Sequence, residues 1–326
     1  MFRSPFFITL AVLLAHSGVS LLAEAQSQAD SLQRKGPPRK QDDVYRISTR
    51  KLADPESDKP IQLDLQRWNE SDNWEPVALD TFCRDSDSKR MTLIYVHGYN
   101  FDAERADQIG WAFYHAICKS EKPRRPLRFV FWSWPTTRKA FRPTRDLADK
   151  ALRADADAYY LAKVITELKA DEPVCVIGSS LGCRVVEGAL HFVGGGTIEP
   201  WKLEGQPDKK AMHLRAAFIT PCVHDDWLYE GGYHDRAVAG ASHLLLINNS
   251  VDSMLLRYSK VWRSHPIALG LDGIQKAAQL GDLAKRIEQL DAHEEIGDNH
   301  GVEFYLRSPM VMERLRTFTG MDRFTE

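Results

Sequence analysis

The sequence predicts an α/β protein in which a mostly parallel sheet carries helices on both faces. Short and almost entirely apolar runs, such as residues 91–96 and 214–219, have the composition of strands that are buried on both faces. Longer stretches with apolar residues at helical spacing lie between such runs, as at residues 147–169. Strands and helices that alternate in this way are typical of a parallel sheet with right-handed crossovers.

The individual elements follow from these two patterns. Strands are predicted at residues 44–52, 61–68, 91–96, 127–132, 173–177, 214–219, 243–247 and 286–290. Helices are predicted at residues 106–119, 147–169, 184–192 and 311–318. Residues 69–87 are polar and turn-rich, and residues 194–210 form an insertion loop with a glycine run and two prolines. No internal repeat is present, and a chain of 326 residues fits one large domain.

The first 25 residues have the pattern of a secretory signal peptide. Arg3 precedes an apolar run at residues 6–15, and Ala23 and Ala25 form an A-x-A-like cleavage site. A retained membrane anchor is the alternative, but a bilayer span needs about 20 apolar residues. We therefore expect export to the periplasm or the medium, with no membrane span after cleavage.

The mature chain is expected to contain a tether and one domain. Residues 26–42 are mostly polar, charged or proline, so they are predicted to be a flexible tether. Residues 43–326 are predicted to form the folded domain. Five cysteines without a C-x-x-C pair favour packed free thiols, with a disulfide between Cys83 and Cys118 as the alternative.

The charge balance limits the classes of partner. The formal net charge is −2, which gives no electrostatic basis for binding nucleic acid or an anionic membrane. His224, Asp225 and Asp226 resemble part of a metal site, but no matching cluster accompanies them, so an exposed polar loop is favoured. We expect no metal or cofactor, and a small or medium-sized uncharged substrate. The oligomeric state is not indicated.

The segment GSSLG at residues 178–182 carries the strongest chemical signal. It follows a predicted strand and precedes a predicted helix, which is the context of a nucleophile on a sharp, strained turn. Glycines two positions before and two positions after Ser180 remove steric clashes there. Ser179 is the rival, but it lacks this flanking pattern. The backbone N–H of Leu181 can then stabilise a developing oxyanion.

A His-Gly turn follows the strand at residues 91–96. Such a turn supplies a second oxyanion donor, which we assign to the backbone N–H of Tyr99. For the side chain of His97, a structural role bonding the loop backbone is preferred over a place in the substrate pocket. Trp134 ends the next strand, where it is a candidate pocket wall; ordinary core packing is an equal alternative.

The chain order of a hydrolase triad places an acid and then a histidine after the serine. Asp252 lies just past the strand at residues 243–247, where a carboxylate can orient an imidazole. The alternative role for Asp252 is an N-cap of the following helix. His300 is the favoured general base, in a polar loop after the last strand. His293 is the runner-up, and His265 is a weaker third choice.

These motifs together resemble a bacterial α/β-hydrolase family of unknown function, with members like esterases and lipases. The matching segments are YVHGYN at 95–100, VFWSWP at 130–135, SLGCR at 180–184, NSVD at 249–252, His300, FY at 304–305 and SP at 308–309. The resemblance implies an α/β-hydrolase fold over about residues 85–318. Two positions differ, because Ser179 replaces the family's usual His and Cys222 replaces a frequent Asp.

The motifs predict a serine hydrolase with the triad Ser180, Asp252 and His300. The leading hypothesis is hydrolysis of carboxylic esters through an acyl-enzyme. An amidase, peptidase or thioesterase would use the same residues, because the pocket and not the triad decides the substrate. A non-catalytic envelope protein that uses the fold as a binding scaffold is the alternative from another class.

Overall fold

The computed structural model describes residues 36–55, 62–85, 90–119, 125–138, 143–204, 213–262 and 264–321. The predicted signal peptide and the predicted tether up to residue 35 lie outside this range.

Eleven strands lie in the described part of the chain. They are β1 (Asp43–Ser48), β2 (Asp64–Trp68), β3 (Trp74–Pro76), β4 (Met91–Val96), β5 (Leu127–Ser133), β6 (Val174–Ser179), β7 (Thr197–Ile198), β8 (Trp201–Lys202), β9 (Leu214–Ile219), β10 (His243–Asn248) and β11 (Ile287–Asp291). Strands β7 and β8 form a small separate hairpin within the predicted insertion loop. The other nine form one sheet in the order β11-β10-β9-β6-β4-β5-β1-β2-β3.

The α-helices of the described residues have the following bounds. They are α1 (Leu79–Arg84), α2 (Ala103–Cys118), α3 (Pro143–Glu167), α4 (Gly182–Val193), α5 (Leu269–Asp272), α6 (His293–Ile296), α7 (Val302–Tyr305) and α8 (Pro309–Thr319). Two 3₁₀ segments lie at Leu255–Lys260 and Ala277–Arg286. No helix in this part of the chain is both long and apolar enough to cross a membrane.

The sheet is parallel from β11 to β1 and antiparallel only where β2 and β3 are added at one edge. Strand β4 lies near the middle, between β5 and β6. Its side chains alternate between two cores, with Leu93 and Tyr95 in one and Ile94 and Val96 in the other. The structure thus confirms the predicted α/β-hydrolase fold, a mostly parallel sheet with helices on both faces.

Each core is closed by a different pair of helices. Helices α3 and α4 pack on the face that contains Ile94, and α2 and α8 pack on the face that contains Leu93. Strands covered on both faces bury every side chain, which explains why their sequences are continuous apolar runs. Parallel strands also bring their carboxyl ends to one edge, where the loops that carry the candidate site meet.

Helix α1 and strand β3 were not predicted, since both lie in the polar stretch at residues 69–87. Phe82 of α1 is fully buried, and its ring packs edge-on against Tyr45 at 5.0 Å between centroids. The Arg128 guanidinium lies 4.5 Å from the centre of the same ring. One buried aromatic residue in a six-residue helix gives no periodicity, so these long-range contacts cannot be read from the local pattern.

The domain's contacts extend into the predicted tether. Asp42 is buried and accepts hydrogen bonds from the Tyr114 hydroxyl at 2.6 Å and from the backbone N–H of Leu127 at 3.0 Å. Arg39 pairs with the same carboxylate at 2.6 Å. The last residues before position 43 therefore belong to the folded structure. All five cysteines are free thiols, including Cys83 and Cys118.

Candidate active site

The turn between β6 and α4 holds Ser180 in a strained conformation. Its φ of +51° lies in the left-handed region, which costs energy for a residue with a side chain. A Cβ atom on Gly182 would lie 2.4 Å from the backbone oxygen of Val96, and one on Gly178 would lie 2.8 Å from Cys183 Cα. Both glycines are therefore required by close backbone approach, as the motif predicted.

Ser179 points into the protein, away from the other candidate site residues. It is buried, and its hydroxyl lies 3.0 Å from the Tyr95 hydroxyl within the core. Ser180 instead remains partly exposed. The geometry favours Ser180 over Ser179 as the residue that can meet a ligand.

Ser180, His300 and Asp252 are joined by two short contacts. His300 Nε2 lies 2.8 Å from Ser180 Oγ, and His300 Nδ1 lies 2.7 Å from Asp252 Oδ2. Asp252 is completely buried, whereas 18% of the His300 side chain is exposed. An Nδ1–H that donates to the carboxylate leaves Nε2 free to accept a proton from the serine.

The second carboxylate oxygen of Asp252 bonds the backbone at the beginning of the 3₁₀ segment Leu255–Lys260. Oδ1 accepts hydrogen bonds from the backbone N–H groups of Met254 at 2.9 Å and Leu255 at 3.0 Å. Asp252 therefore contacts His300 through one carboxylate oxygen and the backbone of the following turn through the other. The capping bonds also fix the orientation of the oxygen that faces His300.

The His-Gly turn after β4 lies directly against Ser180. A Cβ atom on Gly98 would be 3.1 Å from Ser180 Cβ, which is tighter than an ordinary van der Waals contact. Among the described residues, the backbone N–H groups of Tyr99 and Leu181 donate to no protein acceptor. Leu181 follows Ser180 directly in the chain and Tyr99 lies in the His-Gly turn, which are the two segments predicted to form an oxyanion hole.

His97 is a structural residue inside this turn. Its Nδ1 bonds the backbone oxygen of Gly98 at 2.9 Å, and its Nε2 accepts from the backbone N–H of Trp134 at 3.2 Å. Burial, with a smaller effect of the nearby Arg50 charge, lowers the pKa of His97 to about 3. The imidazole is therefore neutral at physiological pH, with its proton on Nδ1.

Neither Trp134 nor His97 forms the pocket wall that was considered for it, and His97 has the structural role that was preferred. Trp134 is completely buried and His97 is 2% exposed, so neither side chain presents a wall to solvent. Trp134 Nε1 donates to the backbone oxygen of His97 at 2.8 Å. The two residues support the His-Gly turn from within, because the turn folds over the end of β5.

The hydroxyl of Tyr99 is held away from the serine. It donates to Asp146 Oδ2 at 2.5 Å, at the start of α3. Burial and this bond raise the pKa of Tyr99, so the hydroxyl stays protonated. The side chain thereby anchors the His-Gly turn to α3.

The alternative histidines lie elsewhere. His293 faces Asp291 at 3.2 Å and is largely exposed, and His265 bonds the backbone oxygen of Ser259 at 3.0 Å. His224 packs against Trp227 with ring centroids 4.4 Å apart, so it belongs to an aromatic cluster instead of the exposed loop that was expected. Within the described residues, no three His, Cys, Asp or Glu side chains form a group that could hold a metal ion.

One supporting pair beneath the site was missed. Arg184, in the first turn of α4, bonds both oxygens of Asp155 at 2.9 Å, and its guanidinium lies 4.6 Å from the ring centre of Trp227. This pair joins the first turn of α4, which follows the serine in the chain, to α3. The sequence did contain a signal for this pair. Asp155 lies among apolar residues of the helix predicted at residues 147–169, and a carboxylate buried there needs a charged or hydrogen-bonding partner.

A cleft of about 700 Å³ lies at the antiparallel edge of the sheet, lined by residues 37–43 and 67–75. None of Ser180, Asp252 and His300 lines it. The position of this cleft therefore carries no information about the chemistry of the serine.

Comparisons with known proteins give no close relative. No protein-family model matches the sequence, and no curated protein matches it. The chain is similar to a solved structure of inhibited esterase B from Lactobacillus rhamnosis, with 12% identity, a TM-score of 0.42 and coverage of 95% of this chain and 97% of that chain. A structure of the product of gene lin2722 from Listeria innocua has 12% identity, a TM-score of 0.41 and coverage of 73% and 96%, respectively.

At this level of identity such likenesses concern the fold alone and assign no residue. The resemblance to a particular bacterial hydrolase family stays a prediction from the motifs. The chemistry proposed below rests on the geometry of this chain.

Proposed function

We propose that the protein is a serine hydrolase that cleaves carboxylic esters through an acyl-enzyme. The observation that carries the proposal is the pair of contacts made by His300, at 2.8 Å to Ser180 Oγ and 2.7 Å to Asp252 Oδ2. The left-handed φ of Ser180 is a second, independent support, since a strained turn exposes a nucleophile above the sheet.

In the first half of the reaction, His300 Nε2 takes the hydroxyl proton while Ser180 Oγ attacks the ester carbonyl carbon. Asp252 stabilises the imidazolium that forms and keeps its Nδ1–H oriented. The carbonyl oxygen becomes an oxyanion, and the N–H groups of Leu181 and Tyr99 are the donors proposed to hold it. One such donor is typically worth about 3–4 kcal/mol of transition-state stabilisation.

In the second half, His300 returns the proton to the leaving alkoxide, which departs as an alcohol. Water then attacks the acyl-enzyme, with His300 again acting as base, and releases the carboxylic acid and free Ser180. Every proton transfer in this cycle uses groups of the protein and water. We propose an uncharged, small or medium-sized ester as substrate, since the net charge of −2 gives no attraction for highly charged molecules.

The test is a substrate panel with the purified mature chain. p-Nitrophenyl esters of graded acyl length are compared with the matching anilide and thioester, for the parent and for Ser180→Ala. We expect ester hydrolysis that disappears in Ser180→Ala. Faster turnover of the anilide or the thioester would mean that amides or thioesters, and not esters, are the substrate class. No turnover of any of the three would favour the hypothesis of a non-catalytic binding protein.

We also propose that the chain is exported and cleaved after Ala25, on the pattern of residues 1–25. The N-terminus of the protein recovered from a bacterial periplasmic fraction or culture medium should begin at Gln26. An intact N-terminus in the membrane fraction would instead indicate a retained anchor.

A further inference from the structure

We infer that Asn249 is a positioning residue for this reaction, which holds the loop of His300 in place relative to Asp252. The inference rests on the proposed function, because it assigns Asn249 a role through His300. Asn249 lies between the end of β10 and the candidate acid, and its side chain is completely buried.

The side-chain amide of Asn249 reaches the histidine loop at two points. Nδ2 lies 2.9 Å from the backbone oxygen of Gly297 and 3.2 Å from that of Asn299, the residue before His300. These acceptors belong to the segment that connects α6 to α7. The amide therefore bonds the backbone on the approach to the proposed base.

The same residue also organises the acid loop. Asn249 Oδ1 accepts from the backbone N–H of Val251 at 3.2 Å, and its backbone oxygen accepts from the N–H of Asp252 at 3.1 Å. A single buried side chain thus joins the two loops whose relative position sets the contact between Asp252 and His300. A second link between these loops is the Ser253 N–H, which donates to the Asp298 oxygen at 3.0 Å.

Tyr305 extends this connection into α7. Its hydroxyl lies 3.1 Å from Asn249 Nδ2, and the ring is fully buried. The amide group is therefore surrounded by three oxygen atoms. An aspartate at position 249 would keep the shape and the acceptor for Val251 but would lose the donor, so it would face those oxygens without bonding them.

Within the described part of the chain, the Asn249 amide bonds Gly297, Asn299 and Tyr305 and no triad side chain, so its effect must pass through the position of His300. Misplacing a catalytic group by about 1 Å can cost about 100-fold in rate. We expect Asn249→Ala and Asn249→Asp to slow labelling by a fluorophosphonate about 10- to 100-fold, while the probe concentration at half-maximal rate changes little.

The neighbouring Asn248 provides a matched control. Its side-chain amide is also buried but bonds the backbone oxygen of Leu271 at 3.4 Å, away from the histidine loop. Asn248→Ala should therefore label at a rate within about threefold of the parent. Thermal unfolding of every variant shows whether it is folded.

The decisive experiment is a double-mutant cycle of Asn249 with His300. In a His300→Ala background, Asn249→Ala should slow the residual labelling by less than about twofold, because the group that it positions is gone. Equal losses in both backgrounds, or an equal loss in Asn248→Ala, would overturn the inference. If Asn249→Ala does not fold, the isosteric Asn249→Asp provides the same cycle. A folded parent that does not label at all would remove the proposed function itself, which is a different outcome.

Discussion

Asp252 accepts a hydrogen bond from the backbone N–H of Leu255 at 3.0 Å, through the carboxylate oxygen that does not contact His300. The other oxygen lies 2.7 Å from His300 Nδ1. One carboxylate therefore bonds the backbone at the beginning of a 3₁₀ helix and also contacts the proposed base, His300. The two roles are separable, since an amide retains an oxygen acceptor for the backbone N–H groups but its nitrogen cannot accept a hydrogen bond from the imidazole Nδ1–H.

Asp252→Asn should separate activity from stability. The variant keeps an acceptor for Met254 and Leu255, but its amide favours the wrong tautomer of His300, so kcat should fall by roughly 10⁴-fold. Asp252→Ala should also lose activity. Its free energy of unfolding should be lower than that of Asp252→Asn by ~1 kcal/mol, because alanine cannot accept the capping hydrogen bonds. Ester hydrolysis and urea unfolding are measured on both variants. Equal stability of the two would contradict the capping role.

The backbone strain at Ser180 predicts an unusual order of stabilities. Ser180→Gly and Ser180→Ala both lose the contact with His300, but only glycine adopts a φ of +51° without a Cβ penalty. Ser180→Gly should be more stable to urea than Ser180→Ala by about 1 kcal/mol. A glycine variant that is less stable than the alanine variant would show that the turn is not strained.

Tyr99→Phe tests whether position 99 acts through its backbone. The variant loses the bond from the hydroxyl to Asp146 but keeps its N–H, so labelling by a fluorophosphonate should stay within about threefold of the parent. The free energy of unfolding should fall by about 1 kcal/mol, the usual value of one hydrogen bond. A 100-fold loss of labelling in a folded variant would instead show that the phenol hydroxyl, and not the backbone N–H, is what the reaction needs at position 99.

His97 makes stability depend on pH in a stated direction. Its pKa is about 3 in the folded protein and about 6.5 when unfolded, so only the unfolded chain takes up this proton as the pH falls below about 6.5. The stabilisation is present above pH 6.5 and is lost as the pH falls towards 3. Between pH 7.5 and 5.5, this residue should lower the free energy of unfolding by about 1.4 kcal/mol.

The measurement is urea unfolding of the parent and of His97→Gln at both pH values. The parent should lose about 1.4 kcal/mol more than the variant over this interval. Burial also lowers the pKa of His224 to about 4, but that residue is present in both proteins and cancels in the difference. The same pH dependence in both proteins would mean that the pKa of His97 is not lowered in the folded state.

The sequence predicted the parts of the site that depend on local geometry. The bounds of β4 and β9 were predicted to the residue, because a buried parallel strand is a continuous apolar run. The glycines around Ser180 could be interpreted in the same way, since a short turn leaves little choice of residue. Asp252 and His300 followed from chain order and loop position, and the structure brings both side chains together with Ser180.

Contacts between distant segments were beyond such reasoning. Trp134 was considered as a pocket wall, but it lies beneath the His-Gly turn, 37 positions away from the residue whose oxygen it bonds. Asp42 looked like part of a polar tether because its partners are a tyrosine 72 positions away and a strand N–H 85 positions away. Asn249 was noticed only as part of a motif, because its amide bonds loops about 50 positions downstream.

Labelling by a fluorophosphonate shows whether His300 activates Ser180 as a nucleophile, on which the other predictions depend. The mature chain is incubated with the probe beside Ser180→Ala, Ser179→Ala and His300→Ala, and the modified peptide is identified by mass spectrometry. We expect labelling on Ser180 that is absent in Ser180→Ala, strongly reduced in His300→Ala and retained in Ser179→Ala. A folded parent that takes up no label, or that is labelled equally fast without His300, would show that His300 does not activate Ser180.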